Sequence, residues 1–366
     1  MDGKRLIEKI RLRNILSFGD KGEEITLEPL NIIIGQNASG KSNLVDVIKL
    51  LRSLPENKGL IDLMSKSGGI REWIWKGKKG QDFLEIEVYT QWLFILTVYK
   101  IRITEYLQRI GIFEETIIEK DHTVSRTEKT RAEDSMLSVD EPDYHGASYS
   151  TIRATFHQPV IYSDLQTNRT SPIRSPQSSD ALNIFLAENG SNLSLILDDL
   201  NYKGKKSEII TNLQKFNPQI TDYLTTNASG TIQLHLREKG IDNPISAKRL
   251  SDGTLRYLCL LAILCHPEPP PLICIEEPET GLHPDILPTI AELMIEASQR
   301  TQLIVTTHSD ILVSAFSEIP EAVLVCEKDE DGTHFRRLEK DKLKAWLDEY
   351  ELGDLWLKGE IGGKRW

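Results

Sequence analysis

Apolar and polar positions alternate in part along Leu6-Ile7-Glu8-Lys9-Ile10-Arg11-Leu12-Arg13, which predicts a strand. A short run over Glu24–Glu28 comes next, then Ile32–Ile34, which has no polar face and reads as a central strand buried on both sides. Beyond a glycine-containing loop, Leu44, Val45, Ile48 and Leu51 recur at helical spacing. Leu84, Ile86 and Val88 alternate with Glu85 and Glu87, Ile101–Thr104 alternates again, and Ile112–Glu119 adds a further strand. These predict antiparallel hairpins with one solvated face. Residues 121–150 carry seven acidic against three basic side chains and predict a loop or flexible insertion. A Ser/Pro-rich stretch, Thr170–Ser179, precedes helical patterns over residues 180–216, and Thr231–Leu236 reads as a strand. From residue 246 a helix, a buried strand, a helix, a buried strand and a helix follow, the order of an α/β domain with a parallel sheet. The expected organisation is an N-terminal lobe over 1–120, an insertion over 121–245 and a C-terminal lobe over 246–366.

Composition narrows the class. With 39% apolar and 27% charged residues among 366, a packed core is possible and wholesale disorder is excluded. The longest apolar runs, such as Leu93–Leu96 and Leu258–Leu264, fall far short of the roughly 20 residues that cross a bilayer. Met1–Arg5 is polar and lacks a signal-peptide pattern. Cys259, Cys265, Cys274 and Cys326 sit in apolar stretches without metal-ligand spacing, which predicts buried free thiols in a reducing compartment. A cytoplasmic location without a membrane partner is expected. The net charge of -11 argues against a surface coated with nucleic acid, though not against a local basic groove.

Candidate chemistry starts at Gly35-Gln36-Asn37-Ala38-Ser39-Gly40-Lys41-Ser42, which matches the phosphate-binding pattern G-x-x-x-x-G-K-[ST] between a buried strand and a helix. Glycines let the backbone curl so that successive N–H groups, including those of Asn37, Ala38 and Ser39, face phosphate oxygens, and the helix start adds positive potential. Lys41 is expected to reach the β- and γ-phosphates of ATP and Ser42 to offer its hydroxyl to Mg²⁺, with Asn43 completing the loop. Leu272-Ile273-Cys274-Ile275 ends in Glu276-Glu277-Pro278-Glu279, a Walker B layout. Glu276 is expected to hold Mg²⁺ and Glu277 to act as general base on the attacking water.

Leu250-Ser251-Asp252-Gly253-Thr254, opening an apolar helix, resembles the L-S-G-G-Q signature of ABC ATPases. The resemblance implies that Ser251 and Gly253 contact the γ-phosphate held by another subunit. Ser251 also reads as an ordinary helix cap. Thr306-Thr307-His308-Ser309 resembles the family's switch-histidine loop, and His283 falls in its D-loop. Gln81 and Gln91 both lie where the Q-loop is expected, and the sequence does not choose between them. Lys41-Ser42-Asn43-Leu44, Arg13-Asn14-Ile15-Leu16-Ser17-Phe18-Gly19 and Glu276-Glu277-Pro278-Glu279-Thr280-Gly281-Leu282-His283-Pro284 resemble the RecF-like and OLD-like branch related to SMC proteins.

The implied fold is an α/β ABC-type P-loop NTPase with a mixed sheet, an N-terminal antiparallel part and a helical and β-rich insertion. The implied activity is ATP hydrolysis in a homodimer that sandwiches two nucleotides. Expected partners are DNA and a separate effector such as a nuclease, in anti-phage defence. A switch that binds only protein, and the ATPase subunit of a membrane transporter, are the alternatives. Trp346, Trp356 and Trp366, with Leu343, Leu352, Leu355 and Leu357, predict a C-terminal helix and hook packed on the core.

Overall fold

The computed structural model describes residues 3–77, 82–92, 95–107, 109–119, 122–138, 147–181 and 184–363. In chain order, β1 (Ile7–Arg13), β2 (Glu23–Thr26) and β3 (Leu30–Gly35) lead into α1 (Lys41–Ser53), α2 (Gly59–Lys66) and α3 (Ile70–Trp73). The hairpin strands β4 (Phe83–Trp92), β5 (Ile95–Tyr106), β6 (Arg109–Glu119) and β7 (His122–Ala132) follow, then α4 (Ala147–His157) and β8 (Val160–Tyr162). The middle holds β9 (Gln177–Ser178), α5 (Leu193–Tyr202), α6 (Lys206–Phe216), β10 (Ile220–Ala228), β11 (Thr231–Glu238) and β12 (Ile245–Ser246). The last third runs α7 (Asp252–Leu264), β13 (Leu272–Glu276), α8 (Leu287–Ala297), β14 (Gln302–Thr306), α9 (Asp310–Ser314), β15 (Val323–Asp329), β16 (Gly332–Arg337), α10 (Lys340–Leu347) and α11 (Leu352–Lys358).

The central sheet has the order β16-β15-β3-β14-β13-β8 and is parallel apart from β16. It takes strands from both ends of the chain. Its apolar runs need cover on both faces, and both faces have it. Ile32 and Ile34 join the core under α7 and α8, while Ile33 between them joins the core under α1. An antiparallel sheet, β2-β1-β4-β5-β6-β7, packs over that second core. Gln302, fully buried at the start of β14, ties the two sheets together. Its Oε1 accepts from the Leu6 and Ile7 N–H groups, and its Nε2 donates to the Ile7 and Glu28 carbonyls. A third, small sheet of β10, β11, β12 and β9 lies with α5, α6 and α7.

Three expectations are corrected. The polar stretch from 121 is not a loop throughout: β7 pairs with β6 along most of its length, and α4 begins at Ala147, while residues 139–146 lie outside the described set. As an edge strand, β7 is bonded on one side and can stay polar. Among the described residues, the helices expected over 180–216 start only at Leu193, since residues 184–192 follow turns and bends. A hairpin, β15–β16, extends the central sheet beyond the predicted alternation. All four cysteines are free and buried. Trp356 is buried, with its indole N–H donating to the Gly363 carbonyl at 2.6 Å. Trp346 is half exposed, and Trp366 lies outside the described residues.

Candidate functional site

The turn between β3 and α1 is built on backbone conformations that side chains resist. Gly35 and Gly40 have φ of +152° and +111°. A Cβ on Gly35 would stand 2.2 Å from the Cys326 carbonyl, and one on Gly40 would stand 2.4 Å from Thr333 Oγ1. Ala38 is also left-handed, at +61°. Two residues from remote elements hold the loop. Thr333 on β16 donates from its hydroxyl to the Ser39 carbonyl at 2.6 Å and bonds Ser17 Oγ at 2.7 Å. Asn43 Nδ2 donates to the same Ser17 hydroxyl at 2.6 Å. The GKSN sequence therefore makes sense in its last residue: Asn43 fastens α1 to the turn after β1.

Lys41 is 6% exposed and donates to the Gly35 and Gln36 carbonyls at 2.9 and 2.8 Å. Burial lowers its pKa, against the pull of Cys326, Glu277 and Glu279. A 430 Å³ cleft is lined by Asn37, Ala38, Gly40, Lys41, Ser42 and Asn43 from this loop and by Glu277, Thr306 and His308 from across the sheet. The parallel register, with Glu276 opposite Thr306, places the ends of β13 and β14 side by side and delivers both catalytic candidates. His308 Nε2 lies 3.8 Å from Glu277 Oε1. Glu277 adopts φ +48°, a conformation rare outside glycine and asparagine. Glu276 sits one position deeper, outside the lining of this cleft, with Lys49 Nζ 3.7 Å from its carboxylate.

Ser251 and Gly253 are elsewhere. They start α7, and Ser251 lines a separate 650 Å³ cleft with Arg169, Arg174, Lys248, Arg249, Leu250 and Asp252. Ser251 Oγ accepts from Thr254 N–H at 3.0 Å, so the helix-cap reading is correct as far as it goes. His283 caps the short turn Pro284–Ile286 and is largely exposed. A Cβ on Gly253 would come within 3.0 Å of the Gly281 carbonyl, so the D-loop segment packs against the start of α7. Of the Q-loop candidates, Gln91 is paired inside the β4–β5 hairpin and Gln81 lies outside the described residues.

Residues 30–314 match the family AAA_21, described as "AAA domain, putative AbiEii toxin, Type IV TA system". The chain belongs to that family. This ATPase is of the ABC type, in the branch that includes SMC-like and RecF-like proteins. It is 33% identical over 123 residues to the DNA double-strand break repair Rad50 ATPase of Thermoplasma volcanium, a match covering 32% of this chain and 12% of that relative. The match thus spans about an eighth of the relative's length. Its fold is that of SMC head domains. An SMC head bound to the C-winged helix domain of ScpA superposes with TM-score 0.65 and 17% identity, covering 92% of this chain and 99% of that one. The SMC head of Thermotoga maritima gives 0.52 and 15%, covering 92% and 100%.

Sequence reading missed several residues of this ATPase that shape the site. Glu279 stood inside a quoted motif, but its work was not evident. Its Oε1 accepts from the His308 N–H at 2.7 Å and from the Thr307 hydroxyl at 2.8 Å, so it pins the histidine loop. Burial raises its pKa, opposed by those same bonds. Arg256 on α7 donates to the Glu277 carbonyl at 3.1 Å. Arg174, the fifth residue of the Ser/Pro-rich stretch Thr170–Ser179, is buried behind the signature turn. Ser17 lies in the quoted Arg13–Gly19 stretch without an assigned role, and Thr333 lies in no quoted motif. For Mg²⁺, the Ser42 hydroxyl and the carboxylates ending β13 are hard oxygen donors of the kind that suit a cation held partly by phosphate, and the residues fit.

Proposed function

We propose that this ATPase is a dimeric switch in which two copies sandwich two ATP molecules. Each copy supplies Lys41, Ser42, Glu276, Glu277 and His308 to one nucleotide, and Ser251 and Gly253 to the other, in an isologous arrangement. The observation that carries this reading is that Lys41, Ser42, Glu277 and His308 line one cleft and Ser251 another, with no lining residue shared. One cleft has the cradle and the base, the other a capped helix start rimmed by cations, and a nucleotide brought by a second chain would unite them.

In this reading Lys41 leaves its loop carbonyls to meet the β- and γ-phosphates, and the loop N–H groups bind the remaining charge. Glu277 accepts a proton from the attacking water, and His308, fixed through Glu279, orients that water against the γ-phosphate. Ser42 and Glu276 would hold Mg²⁺, which when bound would neutralise charge on the phosphate oxygens. ATP binding favours the closed pair, and loss of the γ-phosphate removes the group that bridges the halves.

The output we propose is action on DNA, gating of a separate effector such as a nuclease, or both, in anti-phage defence and in the cytoplasm. Support comes from the Rad50 relative, named for DNA double-strand break repair, and from the toxin system in the family's description. A protein-only switch is the second reading, favoured by the net charge of -11. Among the described residues no helix is long and apolar enough to cross a membrane. The test is ATP hydrolysis by the purified chain with and without DNA, beside Lys41→Ala and Glu277→Gln. Stimulation by DNA, lost in both variants and weakened by salt, supports the DNA-linked reading. Hydrolysis indifferent to DNA moves the conclusion to the protein-only switch.

A further inference from the structure

We propose that Arg174 is a positioning residue that masks the acid inside the signature turn, so that the turn can receive the triphosphate of ATP carried by a second copy. The inference rests on the composite-site reading above. It starts from a departure in the motif: where the family has L-S-G-G-Q, this chain has Leu250-Ser251-Asp252-Gly253-Thr254. Asp252 begins α7 and lines the same cleft as Ser251, with its side chain 63% exposed. A carboxylate in the first turn suits the helix dipole. It is the wrong charge, however, beside the place where a γ-phosphate would dock.

The structure supplies a counter-charge. Arg174 is 4% exposed, and all three of its guanidinium nitrogens are engaged. Nε donates to the Thr167 and Asn168 carbonyls, both at 3.0 Å. Nη1 donates to the Ala247 carbonyl at 3.1 Å and the Leu250 carbonyl at 2.6 Å. Nη2 donates to the Thr167 carbonyl at 2.7 Å and to Asp252 Oδ1. Four backbone carbonyls therefore fix the plane of the guanidinium before it meets the carboxylate. A fork held this way loses little freedom in making the pair. The bond to the Leu250 carbonyl also sets the peptide just ahead of Ser251. With Asp252 neutralised by Arg174, the other charged residues lining the cleft are Arg169, Lys248 and Arg249, all cationic and exposed. That charge pattern fits a polyanion, and the polyanion at hand is the phosphate chain of a nucleotide in the P-loop of another copy.

The experiment is a double-mutant cycle on the full chain, made in the Glu277→Gln background so that ATP is not consumed. Light scattering reads the ATP concentration for half-maximal association. Arg174→Gln is expected to raise that concentration tenfold or more when residue 252 is Asp, and less than threefold in the Asp252→Gly chain. Binding of a fluorescent ATP analogue to the isolated subunit is expected to hold within twofold throughout, since the P-loop cleft is separate. Equal cost of Arg174→Gln in both backgrounds overturns the inference and leaves Arg174 as a scaffold for the loop. If Arg174→Gln does not fold, as judged by its melting curve, Arg174→Lys decides. Association retained within threefold supports masking by charge; a tenfold loss that Asp252→Gly does not relieve overturns it. Ser251→Arg keeps the underlying reading separate. If it leaves association intact, the composite site itself fails, and this inference with it; if it abolishes association, the cycle judges Arg174 alone.

Discussion

The two halves of the proposed composite site are built in opposite ways. The P-loop half is made of strained backbone held from behind. Gly35, Ala38, Gly40 and Glu277 all have positive φ, and Ser17, Thr333 and Asn43 brace the loop through side chains drawn from three elements. The signature half contains little strain. Ser251 spends its hydroxyl on its own helix, and the charge of Asp252 is met by a buried arginine. The contrast teaches where affinity and where control reside. A rigid concave cradle can bind ATP in one chain. An exposed helix start with a masked acid adds value when a second chain presents phosphate to it.

The largest expected difference separates chemistry from association. Glu277→Gln removes the proposed base and keeps every phosphate contact. Turnover should fall about a hundredfold or more, while ATP-driven association survives or strengthens. Ser251→Arg should abolish turnover to a similar degree by the opposite route, with association lost and nucleotide binding to the single chain retained. Light scattering and equilibrium binding on both variants check this. Two variants with the same association behaviour would break the distinction between the halves.

The same small change in both halves sharpens the comparison. In Gly40→Ala the new methyl would stand 2.4 Å from Thr333 Oγ1 and 2.5 Å from Ser17 Oγ, at φ +111°. Strain of about 1–3 kcal/mol is expected for the backbone alone, so ATP binding should weaken by roughly 10- to 100-fold. Gly253→Ala faces a single contact, the Gly281 carbonyl at 3.0 Å, in a helical conformation. It should leave ATP binding to the single chain unchanged and weaken association by about tenfold or less. Calorimetric titration of both proteins with a non-hydrolysable ATP analogue tests the pair.

What the sequence made legible follows from how each function is encoded. The P-loop is a contiguous segment whose residue types are dictated by backbone curvature, so Gly35, Gly40, Lys41 and Ser42 could be read directly. The carboxylates after β13 and the histidine after β14 were legible because buried parallel strands show as unbroken apolar runs. The braces were not legible, because each is a long-range bond between ordinary polar residues: Ser17 and Thr333 are 316 positions apart. Arg174 was hidden in a Ser/Pro-rich stretch with no periodicity, and the carbonyls that hold its guanidinium come from Thr167, just before that stretch, and from Ala247, far along the chain. Strand β7 was missed because its mostly polar sequence lacks the alternation that marks a half-buried strand.

Glu279 gives a modest effect and the most discriminating one, because it separates positioning from stability within the P-loop half. Glu279→Ala removes both bonds that pin Thr307 and His308. At about 1 kcal/mol net for each, turnover should fall by roughly tenfold or somewhat more, with ATP binding less affected. Glu279→Gln keeps an acceptor for those donors and should fall less. The same carboxyl should also leave a mark on stability. Burial raises its pKa above the ordinary value of 4.5, with the His308 N–H bond opposing. Over the interval from that value up to the raised one, the folded chain holds the proton more often than the unfolded chain does. Stability therefore falls as pH rises through that interval. Denaturant unfolding of wild type and Glu279→Gln at a series of pH values from 4.5 to 8 should show a shallower fall in the variant. If the two curves run parallel, the buried charge imposes no cost, and the histidine loop is fixed without any sacrifice of stability. If they converge toward low pH as expected, the P-loop half carries a cost for holding His308 ready. The signature half, whose acid is exposed and ion-paired, has no counterpart to it.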